Sequence, residues 1–152
     1  MTNSPPFDQQ LAIDAYWQDV GGMEFLPGTG RAADRFVRAS WYLDAVEKVP
    51  EPRVATATVF SLVRGVSVPI GLADPKKPNL SSTMWRTVAD LGAKRYFYES
   101  VFSPSVFWVD IDTLGLGEGT GVRKLELGGS PILAGEVSAE FKPSEPFGFL
   151  TN

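Results

Sequence analysis

Asn3 and an arginine, Arg35 or Arg38, are side chains of this chain whose types and setting could serve catalysis. Both donate hydrogen bonds without being consumed in a reaction. Both can therefore stabilise an oxyanion, and neither can be the nucleophile. Asn3 lies in an opening TNSP stretch, thirty-two residues ahead of Arg35. Arg35 lies in LPGTGRAADRFVRAS, Leu26 to Ser40, where a Gly/Pro loop runs into a helical segment. Thr29 is a residue type suited to cap that helix, and Asp34, Arg35 and Arg38 fall close to its start. Plainer readings stand beside these. By residue type alone Asn3 is a turn residue near a proline, and Arg35 and Arg38 are solvated or paired with Asp34 or Asp8. The bond-breaking half of any catalytic site must lie elsewhere.

Composition narrows the chemistry. At 152 residues one domain with a real core is expected, spanning residues 1–152. There is no Cys and no His. Within this chain that excludes disulfides, thiolate zinc sites, Cys nucleophiles and the commonest general base. A net charge of −4 argues against a nucleic-acid surface. Lys76-Lys77 beside prolines reads as a solvated turn. No apolar run approaches the roughly 20 residues of a membrane span, and no secretory signal is visible. No cofactor motif stands out: Gly115, Gly117 and Gly119 imitate a phosphate loop but lack a strand–loop–helix context.

Three helices and then strands must position these residues. Asp8 to Val20 reads as a short helix with a rough apolar stripe of Leu11, Ala12, Ala15 and Tyr16. Arg31 to Val46 reads as a helix capped by Thr29, burying Phe36, Val37, Ser40 and Leu43. Arg53 to Arg64 is the clearest helix, with Ala55, Val59, Leu62, Val63 and Val66 on one face and Gly65 at its C′ position. Thr83 to Ala89 and Lys94 to Val101 read as a hairpin across a Gly-containing turn. Val106 to Asp112 and Val122 to Leu127 read as further strands. The Gly/Pro-rich tail after Gly128 is expected to cover a surface. Trp17, Trp41, Trp85 and Trp108 are expected in the core or between layers. Asp110 and Asp112 share a strand face but have no acidic partner, so they read as surface residues. The order is two packed helices followed by an antiparallel meander, an α+β pattern.

The segments TNSPPFD, LPGTGRAADRFVRAS, SVPIG, SSTMWRTVAD, YFYES and FWVDID occur in an order that resembles the C-terminal half of the choloylglycine hydrolase and penicillin V acylase family. The Gly/Pro loop before ADRFVRAS resembles the Gram-negative branch. These are N-terminal-nucleophile (Ntn) amidases that cleave linear amide C–N bonds. The resemblance implies a part of an αββα Ntn-hydrolase sandwich, a bacterial cytoplasmic or periplasmic setting, and an amide substrate: an acyl-amino acid, a bile salt, penicillin V or, alternatively, an N-acyl homoserine lactone. It implies no cofactor, no metal, no nucleic acid and no membrane. It allows a homo-oligomer, one relying little on the compact segment Asp8 to Gly30 between the two motifs.

The resemblance also implies roles. The family's oxyanion-hole Asn falls on Asn3, and its site Arg, which stabilises charge beside the nucleophile, falls on Arg35. Arg38 is left as structural. The family's nucleophile is an N-terminal Cys whose own α-amino group serves as base. That Cys belongs to the family's N-terminal half, the implied partner of this chain, and no residue here replaces it. The chain alone is then expected to be inactive. The alternative is a non-catalytic remnant or structural module with the same fold. The sandwich reading further expects Val59, Leu62, Val63, Phe97 and Phe107 to face surfaces covered by that other half.

Overall fold

The computed structural model describes residues 4–20, 25–76, 80–129, 132–146 and 148. It divides into two compact units, residues 1–83 and residues 84–152. The first is helical and the second holds the strands, an α+β composition as expected.

Among the described residues the helical unit contains α1 (Phe7–Val20), α2 (Ala32–Ala45) and α3 (Pro52–Gly65), the three helical segments read from the sequence. Their ends are set by local chemistry. Glu51 caps α3, its carboxylate accepting from the amides of Arg53 (3.0 Å) and Val54 (2.8 Å), while Pro52 opens the helix where no N–H is needed. Gly65 is the last helical residue rather than C′, because Val66, at φ −107°, forms the cap. A Cβ at Gly65 would meet Cε2 of Tyr42 on α2 at 3.4 Å, ordinary contact distance.

The buried faces differ from the periodicity. In α1 the residues turned inward are Gln10 and Asp14, while Leu11, Ala12, Ala15 and Tyr16 are exposed. Asp14 is satisfied in place, accepting from Ser40 Oγ (2.8 Å) and Gln18 Nε2 (3.0 Å). The α1–α2 seam therefore needs polar partners that a hydrophobicity count cannot register. In α2 the buried residues are Ala33, Val37 and Arg38, and Leu43 is exposed. In α3 Phe60 is buried and its neighbour Val59 is exposed.

Among the described residues the second unit has a four-stranded sheet in the order β1 (Trp85–Asp90), β2 (Arg95–Ser100), β3 (Val106–Asp110), β5 (Gly135–Glu136), and a two-stranded ribbon of β4 (Arg123–Lys124) and β6 (Lys142–Pro143). β1 (Trp85–Asp90), β2 (Arg95–Ser100) and β3 (Val106–Asp110) form the expected antiparallel meander, with Trp85 opposite Ser100 and Tyr98 opposite Phe107. The β1–β2 turn is held by Asp90, whose Oδ1 accepts from the Ala93 amide at 2.9 Å. β3 ends at Asp110, earlier than expected: the Asp110 side chain accepts from the Asp112 amide and starts a 3-10 turn, Ile111–Thr113. Asp110 and Asp112 then pair with Arg95 and Lys94.

The tail does more than cover a surface. β5 (Gly135–Glu136) adds to β3 in parallel, and β6 (Lys142–Pro143) pairs with β4, which is only Arg123–Lys124. Phe107, Val109, Leu114 and Val137 form a buried cluster, against which Tyr98, Ile111, Leu125, Leu133 and Phe141 pack. Phe107 is thus covered by this chain itself, contrary to the expectation that it faces an uncovered surface. Trp85, placed in the core by its residue type, is 59% exposed, because β1 carries it onto the open border of the sheet.

Candidate active site

Arg35 is held by the junction the loop makes with α2. Thr29, expected as the N-cap, stands two residues before the true cap, Arg31, whose extended backbone makes no side-chain cap bond. Thr29 Oγ1 still accepts from the Arg31 amide (3.2 Å) and donates to the Asp34 carboxylate. The Asp34 charge falls in the first helical turn, where the exposed amides favour it. The first helical hydrogen bond runs from the Arg35 amide to Arg31 O at 3.0 Å.

The two arginines then diverge. Arg38 is buried, and its Nη1 donates to Pro27 O (2.6 Å) and Thr29 O (2.9 Å), stitching the Gly/Pro loop to α2. This is a structural role. Arg35 is half-buried and reaches the end of α3, where its Nε donates to Val66 O at 2.8 Å. Neither arginine forms the expected ion pair with Asp34 or Asp8 among the described residues, since backbone carbonyls take their donors instead. The Val66 end is itself pinned. Val66 N bonds Leu62 O (3.2 Å), and Val68 and Thr83 exchange two bonds, Val68 N to Thr83 Oγ1 and Thr83 N to Val68 O, each 2.9 Å. With Nε fixed, the two Nη amines of Arg35 make no hydrogen bond among the described residues. A guanidinium held by one edge offers its other donors to an anion.

Asn3 lies outside the described residues. The chain that follows it, Ser4-Pro5-Pro6, has a cis Ser4–Pro5 peptide and leads directly into α1. Phe7 packs edge-on to Phe36 of α2, ring centroids 6.0 Å apart. Gln10, not singled out by the sequence, reaches back from α1 to Pro5 O at 2.6 Å.

The strand unit has a cavity of about 490 Å³ lined by Met84, Trp85, Tyr98, Phe107 and Leu133 among others. Among the described residues no three His, Cys, Asp or Glu side chains group to hold a metal ion, and no helix is long and apolar enough to cross a membrane.

The pattern shared by the linear amide C–N hydrolases, choloylglycine hydrolase family, matches residues 1–124. Penicillin V acylase of Pectobacterium atrosepticum is 46% identical over 164 residues, covering 98% of this chain and 44% of that protein. The structure of penicillin V acylase from Agrobacterium tumefaciens superposes with a TM-score of 0.91 at 52% identity, covering 99% of this chain and 48% of that one. A mutant conjugated bile acid hydrolase from Clostridium perfringens shares the fold, with a TM-score of 0.60 at 21% identity over 74% of this chain and 41% of that one. The chain spans about half the length of the relatives it matches.

Proposed function

The chain belongs to the linear amide C–N hydrolases of the choloylglycine hydrolase family, and on that premise we propose that it supplies the anion-stabilising side chains of a penicillin-V-acylase-type amidase. Asn3 gives its side-chain amide to the oxyanion of the tetrahedral intermediate. Arg35 holds charge beside the nucleophile through its free Nη edge. The nucleophile is a cysteine supplied by a segment outside this sequence, because the chain has no Cys. The observation that carries the reading is the likeness to two penicillin V acylases over nearly all of this chain. The anchoring of Arg35 on Val66 O supports it, since a site arginine must be held still. Penicillin V is the first substrate to test; conjugated bile salts and N-acyl homoserine lactones are the alternatives.

The purified 152-residue protein, assayed alone on these three substrates, is expected to give no turnover. Joined to or mixed with a cysteine-bearing segment, it is expected to hydrolyse penicillin V. Asn3→Ala should then reduce kcat by about 100-fold or more, the usual loss for one oxyanion donor. Turnover by the chain alone, abolished by Asn3→Ala, overturns the proposal. So does a completed enzyme indifferent to both Asn3→Ala and Arg35→Ala. The absence of cysteine also favours a second reading, a non-catalytic module of the same fold, and a completed protein with no amidase activity selects it.

A further inference from the structure

Resting on the reading of Arg35 just given, we propose that Thr83 is a positioning residue whose hydroxyl locks the backbone on which the Arg35 guanidinium leans. Arg35 Nε donates to Val66 O at 2.8 Å. Val66 is already past the helix: it caps α3 at φ −107°, and residues 66–68 run on without helical structure. Its bond to Leu62 O fixes its amide, not its carbonyl. The carbonyl is aimed by the residues that follow. Ser67 N donates to Arg64 O at 3.1 Å, and Ser67 Oγ donates to Val63 O at 2.8 Å. Val68 is then gripped on both sides by Thr83, whose Oγ1 accepts from Val68 N and whose own N–H donates to Val68 O, each at 2.9 Å.

The same grip reaches Arg35 from its backbone side. Val68 is buried, and a Cβ at Gly30 would meet its Cγ2 at 3.5 Å. Val68 therefore packs on the loop beside Arg31, the cap of the helix that carries Arg35. One short segment thus supports both the start of α2, through the Val68 side chain, and the guanidinium, through the Val66 carbonyl. Removing the Thr83 hydroxyl would leave the amide of a buried residue without its acceptor, and the segment would have to shift to satisfy it. An anion-stabilising group works only when its supports hold it to about half an ångström. A displacement of about 1 Å can cost about 100-fold in rate.

The test compares Thr83→Val, which keeps the volume and removes the acceptor, with Thr83→Ser, which keeps the acceptor and drops a methyl group. A hydroxyl clamp makes Val the damaging change, whereas loss of packing alone makes Ser the damaging one. The first readout is exchange of the Arg35 Nε–H with water in the purified ¹⁵N-labelled chain. It should be about tenfold faster or more in Thr83→Val and within about twofold of the parent in Thr83→Ser, with the Val37 amide inside α2 unchanged in both. The second readout is the enzyme completed with a cysteine-bearing segment. There Thr83→Val should lower kcat about tenfold with KM within about twofold, and Thr83→Ser should stay near the parent. If Thr83→Val does not fold, Thr83→Ala is measured in its place against the same Thr83→Ser. Parental exchange or parental kcat without the hydroxyl overturns the proposal, as does a Thr83→Ser variant impaired as much as Thr83→Val. If the completed protein has no amidase activity, or Arg35→Ala leaves it fully active, the reading of Arg35 fails instead. Arg35 Nε–H exchange then decides for Thr83 alone: faster exchange without the hydroxyl upholds the clamp, and no change overturns it.

Discussion

Arg86 of β1 and Glu99 of β2 stand directly opposite each other, Nη1 3.0 Å from Oε2, with side chains only 17% and 9% exposed. An ion pair so far from water is dangerous to break and inexpensive to replace as a unit. Glu99→Ala or Arg86→Ala should each lower unfolding free energy, by about 3–5 kcal/mol, by breaking this buried pair. The double substitution Arg86→Met/Glu99→Leu should lie close to the parent. Denaturant melts of the four proteins form a double-mutant cycle that checks this.

The small core of the strand unit makes Phe107 costly to truncate. Phe107→Ala should lose about 3–5 kcal/mol, since Val109, Leu114 and Val137 around it cannot collapse fully into the space. Leu116→Ala, at a residue 71% exposed, should change stability by less than about 0.5 kcal/mol. Comparable losses for the two would mean that Phe107 is not covered by its own chain.

Two glycines should respond in opposite directions. Gly65 is helical, and a methyl group there would sit 3.4 Å from Tyr42, ordinary contact distance. Gly65→Ala is expected to be neutral or to gain up to about 1 kcal/mol from helix propensity. Gly135 has φ +79°, which an L side chain rarely adopts. Gly135→Ala should destabilise and loosen β5 from β3, visible as faster amide exchange at Val137, whose N–H bonds Trp108 O at 2.9 Å.

Glu136 gives a pH dependence with a definite sign. The Ser138 hydroxyl and then its backbone amide, 2.8 Å from Oε1, hold the Glu136 carboxyl below the ordinary carboxylate range. Its contribution is present above the unfolded value, about 4.3, and is lost as pH falls through the lower folded value. The Tm advantage of the parent over Glu136→Gln should therefore shrink on going from about pH 5 to about pH 3. An advantage that does not change with pH would refute this.

The sequence was most legible where local rules decide. All three helices stand within a residue or two of the segments marked by Gly and Pro, and the meander of β1, β2 and β3 follows from its β-branched and aromatic runs. Faces were less legible, because the partner chooses them. Val59 fits the apolar stripe of α3, yet Phe60 is the residue buried. Gln10 and Asp14 of α1 turn inward because Pro5 and Ser40 await them with hydrogen bonds, a relation between distant positions that hydropathy does not encode. β4, β5 and β6 are two residues each, too short to show a period. At the site, Arg35 stood out because its motif resembles a family, while the Val66 carbonyl that holds it left no sequence signal: a backbone acceptor has no residue type.

The order β1-β2-β3-β5 gives the sheet a direction of growth. On one border is β5, a strand of two residues beginning at a glycine with φ +79°, which offers almost no ladder to extend. On the other is β1, six residues long and regularly paired to β2 along its whole length. Its outward backbone groups form a template for one more strand. Among the described residues the sheet is therefore most extensible beside β1.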